Sequence, residues 1–97
     1  MFLEIVSPEA VLFSSEVDSV SVPGVKGEFQ MLNNHAPIVS ILKDGTISID
    51  VNSQSKIDLE ELNDKIIPSK EDANILTLAI NSGTLELKDN KLIILAD

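Results

Sequence analysis

Few residues in this sequence have the chemistry for acid–base or metal work. His35 is the only histidine and the chain has no cysteine, so a zinc site would need carboxylates for its remaining ligands. Acid–base catalysis, as in a small hydrolase or isomerase, would pair His35 with Glu28 and requires both within hydrogen-bonding reach in a pocket. A lone histidine between Asn34 and Pro37 is more often a turn or packing residue than a ligand or general base.

The other candidate motifs point away from catalysis. The acidic residues Glu60, Glu61 and Asp64 lack the alternating order of a calcium loop. Glycines Gly24 and Gly27 are too sparse for a phosphate-binding loop, and no serine has the context of a nucleophile elbow. We therefore expect no catalytic, cofactor-binding or metal-binding residue and no cofactor, which is the profile of a non-enzyme.

Charge restricts the partners that the chain can bind. Sixteen acidic residues against seven lysines and no arginine give a net charge of −9. Because arginine is the preferred residue for phosphate and base contacts, binding to nucleic acid or to an anionic membrane is disfavoured, and a basic protein surface is favoured. Residues 1–6 are too short for a signal peptide and no apolar run approaches the ~20 residues that span a bilayer. The sequence thus predicts no direct membrane insertion.

Apolar residues alternate with polar ones in short runs, which is typical of half-buried strands. We read residues 1–97 as one all-β domain of eight to ten strands, a β-sandwich or flattened barrel with both inner faces in the core. The runs that predict strands cover residues 2–6, 11–13, 17–22, 29–31, 37–42, 46–51, 75–80, 85–87 and 92–96.

Turn residues between these runs predict the connections. A change of phase near Asp18-Ser19 indicates a β-bulge, and residues 23–27 read as a loop. Asp44-Gly45 suits a type I′ hairpin turn. Turn signals at Ser82-Gly83 and at residues 89–91 predict two further hairpins in succession.

Residues 52–74 differ from the rest because they are polar and acidic. We interpret them as an acidic insertion. Within it residues 57–66 have the only helical pattern, since Leu59, Leu62 and Ile66 share one face at spacings of three and four. A short surface helix and an irregular excursion both fit.

One run, residues 22–39, resembles a known signature. It reads Val22-Pro23-Gly24-Val25-Lys26-Gly27-Glu28-Phe29-Gln30-Met31-Leu32-Asn33-Asn34-His35-Ala36-Pro37-Ile38-Val39. The run is similar to the signature of the epsilon subunit of F-type ATP synthases, Pro-Gly-x-x-Gly-Glu-Phe-Gly-x-Leu-Pro-Gly-His-Ala-Pro. The flanking segments 3–9, 13–20 and 92–97 are similar to that family's amino-terminal β-sandwich domain.

The sequence departs from the family pattern in three places. Gln30 replaces a glycine, Asn33-Asn34 replace Pro-Gly, and Ser82-Gly83-Thr84 replace Gly-Gly and an aromatic residue. The inhibitory two-helix carboxy-terminal domain usual in the family does not follow within the sequence, so neither inhibition nor ATP sensing is expected of these residues.

The resemblance implies a non-catalytic central-stalk, or rotor, subunit of a proton-translocating ATP synthase, which binds the gamma subunit and the c ring. It implies a peripheral position at the cytoplasmic face of the bacterial inner membrane and no homo-oligomer. The implied partner contacts are Lys26, Gly27, Glu28 and His35, although Glu28 also fits an ordinary solvated turn residue. The alternative function is a β-sandwich recognition module of another complex, which would not co-purify with a gamma subunit.

Overall fold

The computed structural model describes residues 1–51 and 62–97, and these ranges form ten β-strands and no helix. The all-β prediction is confirmed. The strands are β1 (Phe2–Val6), β2 (Val11–Glu16), β3 (Ser19–Gly24), β4 (Gly27–Leu32), β5 (Ile38–Leu42), β6 (Gly45–Asp50), β7 (Ile66–Pro68), β8 (Ile75–Ile80), β9 (Gly83–Lys88) and β10 (Lys91–Ala96).

The ten strands form one continuous sheet, in the order β2-β1-β10-β9-β5-β3-β6-β8-β7 with β4 paired to β3. It folds into the two layers of a sandwich, called the first sheet (β2-β1-β10-β9-β5) and the second sheet (β4-β3-β6-β8-β7) below. A single backbone pair, Gly24 with Leu42, joins β3 of the second sheet to β5 of the first. Strands β1 and β10 pair in parallel, while the other described pairs are antiparallel.

The core lies between the two sheets and is filled by the inward members of each alternating run. In β6, for example, Ile47 and Ile49 are fully buried while Thr46 faces solvent. Alternation in these strands places one apolar set on the inner face, as expected for a half-buried strand. The largest fully buried side chains are Leu3, Ile5, Met31, Leu42, Ile47, Ile49, Leu76, Leu78, Leu85, Leu87, Leu92 and Ile94.

Two of the three predicted hairpins are wrong. Strand β5 pairs with β9 and β3, and β6 pairs with β3 and β8, so residues 43–44 carry the chain from one sheet to the other. Residues 81–82 make a second such crossing between β8 and β9. Gly45 serves close packing, because a Cβ there would lie 2.7 Å from the Cβ of Pro23.

The hairpin between β9 and β10 is confirmed. Its turn residues Asp89 and Asn90 have φ values of 52° and 61°, as a type I′ turn requires. Its flanking strands pair in unbroken antiparallel register from Lys91 with Lys88 to Ala96 with Gly83.

The phase change near Asp18-Ser19 is a crossing between sheets, so the bulge predicted there is wrong. Strand β2 ends at Glu16 and β3 begins at Ser19. Between them the Asp18 N–H donates to the Asp50 carbonyl oxygen at 2.8 Å. The residues predicted as a loop at 23–27 are tighter than expected, because β3 continues through Gly24 and β4 begins at Gly27.

Residues 52–61, which hold half of the stretch 57–66 predicted as a possible helix, lie outside the described residues. Beyond them the Leu62 side chain packs against the core, and β7 begins at Ile66 and pairs with β8. The helical interpretation is therefore wrong at Ile66, where edge pairing to β8 buries the side chain. The interpretation of residues 52–74 as an insertion stays a prediction.

Gly83 should resist substitution. It pairs with both Ala96 and Leu42, and a Cβ on it would meet the Leu95 carbonyl oxygen at 2.7 Å. We expect Gly83→Ala to lower the free energy of unfolding by about 1–3 kcal/mol, as overpacking does. Urea unfolding measures the change; Ser82→Ala, at the exposed neighbouring residue, is the control and should have little effect. Equal stability of both variants would contradict the steric argument.

Candidate partner-binding surface

The tip of the β3–β4 hairpin carries three of the four predicted contact residues. Val25 and Lys26 connect the strands, and Gly27 and Glu28 open β4, all of them exposed. Gly27 has φ 128° and nothing within 4 Å of the position that its Cβ would occupy. The tip therefore projects into solvent, with Lys26 and Glu28 as its charged groups.

A cleft of about 680 Å³ separates this tip from β5. Its apolar lining residues are Val25, Phe29, Val39 and Ile41, and Lys26 and Glu28 also line it. The Val25 N–H donates to the Ile41 carbonyl oxygen at 3.2 Å, which holds the two walls together. The predicted charged residues thus border an apolar depression that the sequence analysis did not anticipate.

The depression continues into a row of side chains, apolar except for Thr84, on the outer face of the first sheet. Strand register places one residue of each strand in a line, in the order Val11, Val6, Leu95, Thr84 and Ile41. Ile41 is 62% exposed and Leu95 55% exposed. The row crosses four strand spacings, roughly 19 Å. With Val39 and Val25 these residues are called the apolar face below.

The apolar face is confined to one side and one end of the sandwich. On the second sheet, β6 presents Thr46, Ser48 and Asp50 outward in regular alternation with its core residues. On the first sheet the apolar face does not extend to the end that holds Phe2. There the Lys91 Nζ lies 5.8 Å from the centroid of the Phe2 ring. Exposed large apolar side chains grouped in this way are typical of interaction surfaces.

The sequence contains a signal for the apolar face. Residues 92–95 are all apolar, as are 38, 39, 41 and 42. Continuous runs of this kind are typical of strands covered on both faces, whereas half-buried strands alternate. The continuous apolar runs distinguish β10 and β5 from β6, in which apolar and polar residues alternate.

His35 lies away from the hairpin tip, in the connection between β4 and β5. Glu28 pairs with Pro23 at one end of β4, and Leu32 pairs with Ser19 at the other. Glu28 and Leu32 are four residues apart, which in an extended strand corresponds to roughly 13 Å. His35 follows Leu32, so the acid–base pair with Glu28 lacks the geometry that it requires.

His35 makes hydrogen-bonding contacts with two backbone carbonyl groups. Its N–H donates to the Leu32 carbonyl oxygen at 3.1 Å, and its Nδ1 lies 2.7 Å from the Ala36 carbonyl oxygen. The part of the chain that the structure describes contains no group of three or more potential metal ligands. It also contains no helix long and apolar enough to cross a bilayer.

Comparisons with known proteins agree with the fold and with the signature at residues 22–39. Residues 1–59 match the β-sandwich domain of the ATP synthase delta/epsilon chain. The chain is 38% identical over 97 residues to the ATP synthase epsilon chain of Campylobacter curvus, covering 100% of this chain and 60% of the relative. It is 33% identical over 95 residues to that of Desulforamulus reducens, covering 98% and 57%.

Solved structures share the fold at low sequence identity. A chain in the Euglena gracilis mitochondrial ATP synthase structure, which contains OSCP, F1 and the c-ring, superposes with TM-score 0.72 at 14% identity. The match covers 97% of this chain and 48% of that one. A chain of the Tetrahymena thermophila mitochondrial ATP synthase central stalk and c-ring gives 0.67 at 11% identity, covering 98% and 61%.

The exposure of Val39 and Ile41 predicts that their side chains contribute little to the stability of the free chain. Threonine at both positions keeps the β-branched shape, and we expect the free energy of unfolding to change by less than about 0.5 kcal/mol. Binding of a hydrophobic dye should fall, because apolar surface is removed. Val22→Thr, at a fully buried position, is the control and should destabilise the fold. Unfolding of the double variant under mild conditions would contradict the assignment.

Proposed function

This chain belongs to the ATP synthase delta/epsilon chain family through its β-sandwich domain, and we propose that it is a non-catalytic central-stalk subunit that binds the gamma subunit and the c ring. It spans 57–60% of the length of the two bacterial relatives described above. The observation that carries the proposal is the apolar face, which a free protein would leave in contact with water.

The gamma subunit is the proposed partner of the apolar face. A lasting contact between subunits buries an apolar centre and keeps charge at its rim. Ile41 and Val39 lie centrally because they border both the cleft at the hairpin tip and the row across the first sheet. Covering this face would also remove the surface by which copies of the chain could associate, in keeping with the expectation of no homo-oligomer.

The c ring is the proposed partner of the hairpin tip. Glu28 is exposed at the start of β4, next to Gly27, whose conformation lets the tip stand clear of the sandwich. A carboxylate in this position suits a basic or polar loop on the partner. The absence of arginine and the net charge of −9 support the same preference for basic surfaces.

Binding two partners on adjacent surfaces of one stiff body would couple them mechanically. The core between the sheets is continuous, and its residues are held in strands that are hydrogen-bonded along their length. Close-packed interiors of this kind have low compressibility and transmit strain. In this proposal the domain carries torque from the c ring to the gamma subunit, so that proton flow drives ATP synthesis. Its location is the cytoplasmic face of the bacterial inner membrane, where the complex holds it.

The gamma contact is tested by Ile41→Lys in a pull-down with a purified gamma subunit. Burying an unpaired ammonium at the centre of an apolar contact should weaken binding about tenfold or more. The matched control is Ile67→Lys, because Ile67 is 60% exposed and Ile41 is 62% exposed, but Ile67 lies on β7 of the second sheet. Equal binding by both variants, or no binding by the unsubstituted chain, would contradict the proposal.

The c-ring contact is tested by Glu28→Lys in the reassembled complex. We expect proton-driven ATP synthesis to fall by roughly two- to fivefold, because reversing a rim charge weakens docking without unfolding the domain. Glu71→Lys makes the same charge change at an exposed residue near the second-sheet edge and should leave synthesis near its original rate. Unchanged synthesis with Glu28→Lys would rule out a role for this carboxylate.

A further inference from the structure

Glu86 presents an exposed carboxylate on the outer face of the first sheet. It lies on β9, whose outward residues alternate with buried ones. Strand register places Glu86 directly opposite Ile93 of β10 on one side and Val39 of β5 on the other. The carboxylate therefore has an apolar neighbour one strand away on each side.

A depression of about 280 Å³ lies beside Glu86. Its lining includes Val39 of β5, Ile93 and Leu95 of β10, and Thr84 of β9. Val39, Leu95 and Thr84 belong to the apolar face, so the depression is continuous with that face. The site thus combines aliphatic walls with one carboxylate and one hydroxyl.

The Glu86 carboxylate has no ion pair and no side-chain hydrogen bond within the part of the chain that the structure describes. Lys88 faces the same side of β9 two residues further on, and it forms no salt bridge with the carboxylate. The Lys91 Nζ lies over the Phe2 ring instead. Glu86 is therefore open to a cation from outside the described residues.

This combination of groups fits a long cationic side chain. The aliphatic stem of such a side chain packs on apolar surface while its charged head stays at a polar site. Arginine suits the site better than lysine, because a planar guanidinium can donate two parallel hydrogen bonds to the Glu86 carboxylate and has further N–H groups for the Thr84 hydroxyl. Arginine is also enriched in protein interfaces, whereas lysine is depleted.

A second copy of these residues does not supply the cation. The 97 residues contain no arginine. Two copies that each carry a net charge of −9 would also repel one another. The chemistry of the site therefore favours a different protein, with a basic surface.

We propose that Glu86 is the centre of a binding subsite for an arginine side chain of the gamma subunit. The arginine stem packs against Val39, Ile93 and Leu95, and its guanidinium pairs with the Glu86 carboxylate. The identity of the partner rests on the proposed function, while the chemistry of the subsite is a property of this chain alone. Because the ion pair lies at the border of the apolar face, it fixes the orientation in which the partner docks.

The subsite is tested first on the free chain, by NMR titration with n-butylguanidinium chloride as an analogue of the arginine side chain. We expect the amide signals of Glu86, Thr84 and Ile93 to shift with roughly millimolar affinity, as suits a ligand of this size. In Glu86→Gln, which keeps the shape of the side chain and removes its charge, the shifts should largely disappear.

The matched control for the titration is Glu4→Gln. Glu4 of β1 lies on the other side of Ile93 from Glu86 and is not part of the lining of the depression. Its substitution makes the same charge change and should leave the shifts as they are. Absence of shifts around Glu86 in the unsubstituted chain, or equal shifts in Glu86→Gln, would overturn the subsite.

The partner contact is tested by affinity for a purified gamma subunit. Glu86→Gln should weaken binding about tenfold, because the arginine is then buried without its counter-charge, whereas Glu4→Gln should change it by less than about twofold. Glu86→Asp keeps the charge but withdraws it by one methylene, so its affinity should lie between those of Glu86→Gln and the unsubstituted chain. Urea unfolding should show equal stability for all of these variants, because the substituted side chains lie on the outer face.

The outcomes separate the subsite from the proposed function. A gamma subunit that binds Glu86→Gln as tightly as the unsubstituted chain would overturn the arginine contact and leave the proposed function standing. A gamma subunit that fails to bind the unsubstituted chain would refute the proposed function, and the butylguanidinium titration would then decide whether the subsite exists.

Discussion

The backbone junction between β3 and β5 is the constraint on which the other features depend. Gly24 pairs with Leu42, and the Lys43 N–H donates to the Pro23 carbonyl oxygen at 2.9 Å. A side chain on residue 24 would lie 2.8 Å from the Gly27 carbonyl oxygen, so the β3–β4 hairpin beside the junction needs glycine at this position. The junction brings the tip of the β3–β4 hairpin against β5. It therefore both joins the two sheets and forms the cleft between the hairpin tip and β5.

Strand positions could be predicted from the sequence because alternation is a local property, and β6 is a clear case. Strand partners could not. Asp44-Gly45 has the chemistry of a hairpin turn, but its flanking strands pair elsewhere, β5 with β9 and β6 with β8. The parallel pairing of β1 with β10 leaves no mark in either segment, since register across such a separation is decided by packing.

The predicted contact residues divide into two groups in the structure. Lys26, Gly27 and Glu28 lie together at the hairpin tip, while His35 lies beyond the other end of β4. The family resemblance indicated which residues contact a partner. Their separation along the extended strand β4 decides which of them share a surface. The apolar face was missed because an exposed Ile41 and a buried Ile47 look alike in composition; only the unbroken apolar runs around Ile41 and Leu95 distinguish them.

The pairing of β1 with β10 also bears on how the chain folds during synthesis. The first strand cannot obtain its parallel partner until the ribosome has released Ala96, so the first sheet is completed only after nearly all of these residues have emerged. The second sheet takes its strands from the middle of the chain and has no such delay. Non-local pairing of this kind slows folding, and until it forms, the apolar side chains of β1 stay open to chaperones and to neighbouring nascent chains.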